Sequence, residues 1–116
     1  MDLNPTAIDA LISKVRFNNA GLVAAIAQDV ENGDVLMMAW MNEASLRETL
    51  ETGRACYWSR SRQQFWRKGD TSGHTQTVHD LLVDCDGDTL LMKITQVGAA
   101  CHTGERTCFF TSVKQL

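Results

Sequence analysis

The chain has 116 residues, of which 44% are hydrophobic, enough for one domain with a buried core. Its formal net charge of −3 excludes bulk attraction to nucleic acid or to an anionic membrane. Its longest apolar runs, at 22–27 and 35–41, are far too short to span a bilayer. Residues 1–9 are polar, carry two acids and lack the basic and apolar regions of a signal peptide. The expected location is therefore cytoplasmic. Four cysteines in such a chain read as metal-binding or catalytic thiols rather than disulfides, because a reducing compartment keeps them free. Cys56 is the exception: between Ala55 and Tyr57 it reads as a small buried hydrophobe.

Asn4 followed by Pro5 predicts a helix start, with a side-chain cap and proline at the first helical position. Ile8, Leu11, Ile12 and Val15 then recur at helical spacing. Two apolar runs, 22–28 and 35–40, flank Glu31-Asn32-Gly33-Asp34, and an Asn-Gly pair between apolar runs predicts a hairpin. Asn42 caps a second helix over 44–51, and Gly53 ends it in a left-handed conformation. Residues 54–59 read as a strand. Residues 75–83 and 89–96 read as two more, joined at Asp86-Gly87. The chain closes on an apolar segment at 109–113. The whole predicts an α+β fold, mainly antiparallel β with one or two short helices.

Residues 59–73 change character and read as a basic loop. Arg54, Arg60, Arg62, Arg67 and Lys68 supply five of the eleven basic residues, with no acid between Glu51 and Asp70. Thr71, Ser72 and glycines are interleaved with them. Guanidinium forks, an ammonium, hydroxyls and backbone N–H groups together hold phosphate; from charge alone, a solvated basic loop accounts for the stretch equally well. No P-loop pattern is present.

Asp84-Cys85-Asp86-Gly87-Asp88 packs three carboxylates and a thiol into five residues. Carboxylates suit hard cations and thiolates suit zinc. An EF-hand is excluded, because glycine is fourth rather than sixth and the twelfth residue is Thr95 rather than glutamate. Three clustered carboxylates repel one another unless a cation neutralises them, so Asp84, Asp86 and Asp88 are expected to bind Mg²⁺. In an extended strand Asp84 and Asp86 would face one side and Cys85 the other. Cys101 and Cys108 lie seven residues apart, with no Cys-x-x-Cys knuckle, so a structural zinc ribbon is disfavoured. Cys85, Cys101 and Cys108 instead fit a catalytic zinc with an open fourth position. A straight strand over 89–96 carries the chain roughly 26 Å from the turn, and residues 97–101 recover only about 17 Å. Cys101 thus has difficulty reaching Cys85 of its own chain, which predicts a zinc shared between subunits. His102 and Glu105 are the nearby candidates for a general base. His74 and His79 read as ordinary hydrogen-bonded histidines.

Four stretches together resemble phosphoribosyl-AMP cyclohydrolase of histidine biosynthesis: Tyr57-Trp58-Ser59-Arg60-Ser61-Arg62, Trp66-Arg67-Lys68-Gly69-Asp70-Thr71-Ser72-Gly73, Val83-Asp84-Cys85-Asp86-Gly87-Asp88 and Cys101-His102-Thr103-Gly104-Glu105-Arg106-Thr107-Cys108. The likeness runs from about Gly21 to Phe110. It implies an intertwined cytoplasmic homodimer that opens the adenine ring of 1-(5-phosphoribosyl)-AMP at the N1–C6 bond. It implies one Mg²⁺ per subunit on Asp84, Asp86 and Asp88. It implies one Zn²⁺ per subunit on Cys85, Cys101 and Cys108, with both subunits contributing. A zinc-bound hydroxide attacking C6 is the expected mechanism, as in zinc deaminases, although the deaminase signature itself is absent. Arg60, Arg62, Arg67, Lys68, Thr71 and Ser72 would hold the substrate's two phosphates. Residues 1–116 would form a single cyclohydrolase domain without the pyrophosphohydrolase domain fused to some relatives. The rival reading is a zinc-stabilised module binding single-stranded nucleic acid through Trp58, Phe65 and Trp66; the acidic net charge and acidic hairpin count against it.

Overall fold

Helix α1, Pro5–Ser13, begins where the Asn4 side chain accepts the Ala7 N–H, and it buries Ile8 and Ile12. The computed structural model describes residues 1–116. Strands β1, Val23–Asp29, and β2, Val35–Met41, form the expected hairpin. Helix α2, Glu43–Thr52, is closed at one end by a reciprocal Asn42–Ser45 capping box and at the other by Gly53 at φ 72°. It buries Leu46 and Leu50. Strands β3, Cys56–Ser59, and β4, Gln64–Arg67, pair in a small separate hairpin. Strands β5, Gln76–Val83, and β6, Thr89–Gln96, complete the main sheet.

That sheet runs in the order β2-β1-β6-β5. All its neighbours are antiparallel except β1 and β6, which are parallel at its centre. The expected class, α+β and mostly antiparallel, therefore holds. One face carries Val23, Ala25, Ala27, Leu90, Met92 and Ile94, buried in one core with α1 and α2. The other face is only half covered. Across it Met38, Ile26, Leu91 and Leu82 form a continuous apolar row, one residue from each strand. Met38 and Leu82 at its ends are 45% and 44% exposed.

One expectation is corrected. The basic stretch is not one loop: Gln64–Arg67 is a strand that folds back on Cys56–Ser59, with Gln63 at φ 52° in the turn. Its tyrosine, tryptophans and phenylalanine suit a β surface and pair across the hairpin, Tyr57 on Trp66 and Trp58 on Phe65. The closing apolar segment lies on the surface. Phe109, Phe110, Val113 and Leu116 are exposed, and only a short 3₁₀ turn forms at Val113–Gln115. No helix is long and apolar enough to cross a membrane.

Candidate active site

The β3–β4 hairpin is tied to the main sheet by its first residues. Ala55 N–H donates to Gln76 O, and Lys68 N–H donates back to Ala55 O. A buried chain of side chains continues inward. Tyr57 OH donates to Gln76 Oε1 at 2.6 Å, and Gln76 Nε2 donates to Gln96 Oε1 at 2.8 Å. Gln96 in turn donates to the carbonyls of His74 and Val97. This network fixes where the chain leaves β6, and so where the 101–108 loop begins.

The loop is then clamped to the β1–β2 hairpin. Arg106 bridges Asp29 and Asp34 at 2.9 and 3.2 Å. Thr107 Oγ1 donates to Val35 O, and Cys108 N–H donates to Leu36 O at 2.7 Å. Within the loop Cys101 N–H donates to Glu105 O, and Ala100 N–H to Arg106 O. This closure sets Cys101 and Cys108 near enough that each affects the ionisation of the other. Thr103 Oγ1 donates to Cys101 Sγ at 3.1 Å. That bond, helped by the neighbouring Lys68 ammonium, holds the Cys101 thiol below its ordinary range. Burial, with Cys101 beside it, pushes Cys108 up. Cys56 lies apart from this pair; burial and the Glu48 carboxylate push its thiol up to about 12, so it is inert.

In front of Cys101 lies an open cleft of about 480 Å³. Arg62, Thr71, Ser72, Cys101 and His102 are among its walls, and it adjoins a second hollow of about 680 Å³ that shares Arg62, Thr71 and His102. Several expected substrate residues thus meet a thiol and a histidine. Others are engaged elsewhere. Arg67 lines the cleft but forms a two-pronged pair with Glu48, at 2.7 and 2.9 Å. The Lys68 ammonium turns inward to Ala100 O at 2.6 Å. Arg60 sits outside the cleft with its guanidinium 5.2 Å above the Trp40 ring. His102 reaches the cleft; Glu105 lines neither hollow.

The acidic turn lies at the far end of β6. Residues 84–88 are a turn rather than a strand, so the expected alternation of faces does not apply. Asp84 Oδ1 accepts the N–H groups of Asp88 and Thr89 and folds the turn around itself. Gly87, at φ 79°, packs so tightly on Lys14 O that a Cβ there would lie 2.5 Å from it. Gly87 O accepts the Arg16 N–H at 2.7 Å. One ligand oxygen from each of Asp84, Asp86 and Asp88 lies within 4.8 Å of the others, all exposed. Hydrogen bonding and repulsion from Asp84 and Asp86 push Asp88 above the usual carboxylate range. Desolvation opposes ionisation of Asp84, but the hydrogen bonds from Asp88 and Thr89 outweigh it and hold its carboxyl below that range. Crowded, exposed carboxylates of this kind fit a hard divalent cation. Sequence reasoning missed Lys14 and Arg16, which share a hollow with Asp84, Cys85 and Asp86.

Within one chain the three cysteines do not form one site. The acidic triad is the only group of three or more histidine, cysteine or carboxylate ligands whose atoms converge. Cys85 is exposed on the turn, one strand-length from Cys101 and Cys108. The thiol pair offers two soft donors of the four a zinc takes. The donor set fits zinc, then, on the condition that another thiol arrives from outside the chain.

Residues 37–110 match the family model described as phosphoribosyl-AMP cyclohydrolase. A phosphoribosyl-AMP cyclohydrolase of Corynebacterium jeikeium is 65% identical over 100 residues, covering 86% of this chain and 79% of that protein. One of Paramagnetospirillum magneticum is 60% identical over 111 residues, covering 94% and 84%. One of Prosthecochloris aestuarii is 55% identical over 114 residues, covering 98% and 83%.

Proposed function

The chain belongs to the phosphoribosyl-AMP cyclohydrolase family, and from that premise we propose that it is the hydrolase of histidine biosynthesis that opens the adenine ring of 1-(5-phosphoribosyl)-AMP at the N1–C6 bond. The observation that carries this reading is one cleft shared by Arg62, Thr71, Ser72, Cys101 and His102. It joins phosphate-holding groups to a metal-type thiol and a titratable ring. The reaction belongs in the cytoplasm, where the thiols stay reduced.

Arg62 binds one substrate phosphate through its guanidinium fork, with the Thr71 and Ser72 hydroxyls donating alongside. Arg67 supports this wall while Glu48 orients it. Arg60, stacked on Trp40, would serve the second phosphate only by leaving that ring. The adenine is thereby presented with C6 toward the thiol loop. Cys101 and Cys108, with a third thiol, would hold zinc, which would supply the Lewis acidity that makes a water nucleophilic near neutral pH. His102 takes the proton from the attacking water and returns one to N1 as the N1–C6 bond breaks. Its place at the cleft favours it over Glu105 for this role. Mg²⁺ on Asp84, Asp86 and Asp88, beside Lys14 and Arg16, would offset phosphate charge.

The third thiol is Cys85 of a second copy. The half-covered row Met38, Ile26, Leu91, Leu82 is a surface on which a homodimer would form. A two-fold axis across that row runs the two β6 strands in opposite directions. It sets the acidic turn of one subunit beside the thiol loop of the other, giving one zinc and one magnesium per subunit. The direct test is the change in ultraviolet absorbance that accompanies ring opening, followed with purified protein before and after zinc chelation. Ring opening that stops with zinc removal and returns with zinc is expected. Full activity after complete zinc removal contradicts the mechanism.

A further inference from the structure

We propose that Lys68 is a positioning residue of the thiolate site: its buried ammonium fixes the backbone at Ala100–Cys101 and balances the negative charge of the sulfurs on that loop. This inference rests on the reading that Cys101 and Cys108 hold a metal.

Lys68 stands in the basic stretch and looks, from sequence, like a phosphate ligand. Its surroundings argue otherwise. It is only 9% exposed, whereas Arg60, Arg62 and Arg67 beside it are exposed. Its backbone N–H is bonded to Ala55 O, which holds the residue at the base of the hairpin. The Nζ donates to Ala100 O at 2.6 Å and lies 5.2 Å from the centre of the Trp66 ring, which roofs it. It makes no ion pair with any carboxylate. A buried ammonium without an anion is strongly unfavourable. The anionic groups that act on it are the sulfurs of the adjoining loop. Its acceptor is the residue before Cys101, and both Cys101 and Cys108 act electrostatically on it, opposing the effect of burial.

The arrangement is complementary in charge. Three thiolates on a divalent cation leave a net charge of about −1, and one ammonium brings the cluster to neutrality. Without Lys68 the excess charge would face the cleft, where it would repel a substrate carrying two phosphates. The hydrogen bond to Ala100 O has a second effect: it fixes the peptide from which Cys101 projects. Groups that orient metal ligands in this way typically change metal affinity about 10- to 100-fold when removed.

The test is zinc affinity of purified holoprotein, measured by competition with a chromogenic chelator, together with the sulfur-to-metal absorption band of the cobalt-substituted protein. Lys68→Met should bind zinc about tenfold or more weakly, with an altered cobalt band and unchanged far-ultraviolet circular dichroism. Lys68→Arg, which keeps the charge, should restore most of the affinity. Should Lys68→Met fail to fold, Lys68→Gln keeps a donor for Ala100 O, removes the charge, and is expected to show the same weakening. Affinity within about twofold of wild type in the uncharged variants, or an Arg variant as weak as they are, overturns the proposal. Cys101→Ala is the control. Zinc retained there overturns the metal reading and Lys68 with it; zinc lost there but held by Lys68→Met overturns the role of Lys68 alone.

Discussion

The two ends of β6 carry the two ligand clusters, and they are built in opposite ways. The 101–108 loop is held from outside. Arg106 reaches Asp29 and Asp34, Thr107 and Cys108 bond to β2, and Lys68 grips Ala100. Its two cysteines are therefore anchored by bonds to other elements. The 84–88 turn is held mainly by itself, through Asp84 Oδ1 and the close packing of Gly87 on Lys14. Its carboxylates converge in the open, and Cys85 is exposed beside them. One end is therefore braced by the rest of the fold, and the other is a self-supporting turn that presents its side chains outward. Preorganised ligands favour tight, specific metal binding; exposed, mutually repelling ones favour exchangeable binding.

The largest effect expected on this contrast is at the pinned end. Cys101→Ala should abolish ring opening, with more than about a 100-fold fall in kcat, beyond the loss of a supporting group, and should empty the protein of zinc by elemental analysis. Near-wild-type turnover would end the ligand assignment. At the open end, Asp86→Asn should weaken Mg²⁺ binding about tenfold or more by calorimetric titration, because one of three carboxylate ligands is gone. The same substitution should stabilise the metal-free protein. Asp88 is raised above its ordinary 3.8 by Asp84 and Asp86, so its ionisation counts against the fold as pH rises through the folded-state value. Removing one neighbour relieves that penalty at pH 7 and changes little below pH 3.8. A melting temperature unchanged or lowered at pH 7 without metal would contradict the crowding argument.

Arg62→Ala tests the cleft between the two ends. A charge-assisted hydrogen bond to phosphate is lost, so KM should rise about ten- to a hundred-fold, with kcat falling less; an unchanged KM removes Arg62 from the substrate site. The smallest effect is at Glu48, which Arg67 holds below its ordinary 4.5 despite partial burial. A lowered folded-state value means that the pair stabilises the protein above pH 4.5 and ceases to do so as pH falls through that value. Glu48→Gln should therefore cost less than about 1 kcal/mol at pH 7, since the pair is partly solvent-exposed and screened. Its melting curve should merge with that of the wild type in acid. A cost that persists at pH 3 assigns the effect to packing.

The elements at the start of the chain were legible because their signals are local. Asn4-Pro5, Asn32-Gly33, Asn42 and Gly53 each mark a boundary through their own side chain or backbone preference, and the structure places caps and turns there. The convergence of three carboxylates was legible for the same reason, as they share five residues. What escaped depends on partners distant in sequence. β4 was hidden because Gln64–Arg67 is half arginine and glutamine, and becomes a strand by pairing its aromatic residues with Tyr57 and Trp58. The parallel pairing of β1 with β6 has no local marker. Lys68 looked like its basic neighbours, and only burial under Trp66 separates it from them. Glu48 and Arg67 lie on different elements, so their pairing was invisible. Residues 109–113 are apolar in sequence yet exposed, and no local signal marked them as such.

The central claim is that the zinc site closes only between two copies, Cys85 from one and Cys101 with Cys108 from the other. Subunit mixing tests it most directly. Cys85→Ala and Cys101→Ala proteins should each be inactive and free of zinc. Unfolded together in equal amounts and refolded, half of their dimers would pair one of each, and each such dimer would hold one intact site of two. Activity and zinc should return to roughly a quarter of the wild-type level. If all three ligands came from one chain, no combination of these variants could rebuild a site, and a mixture as inactive as its components would contradict the account.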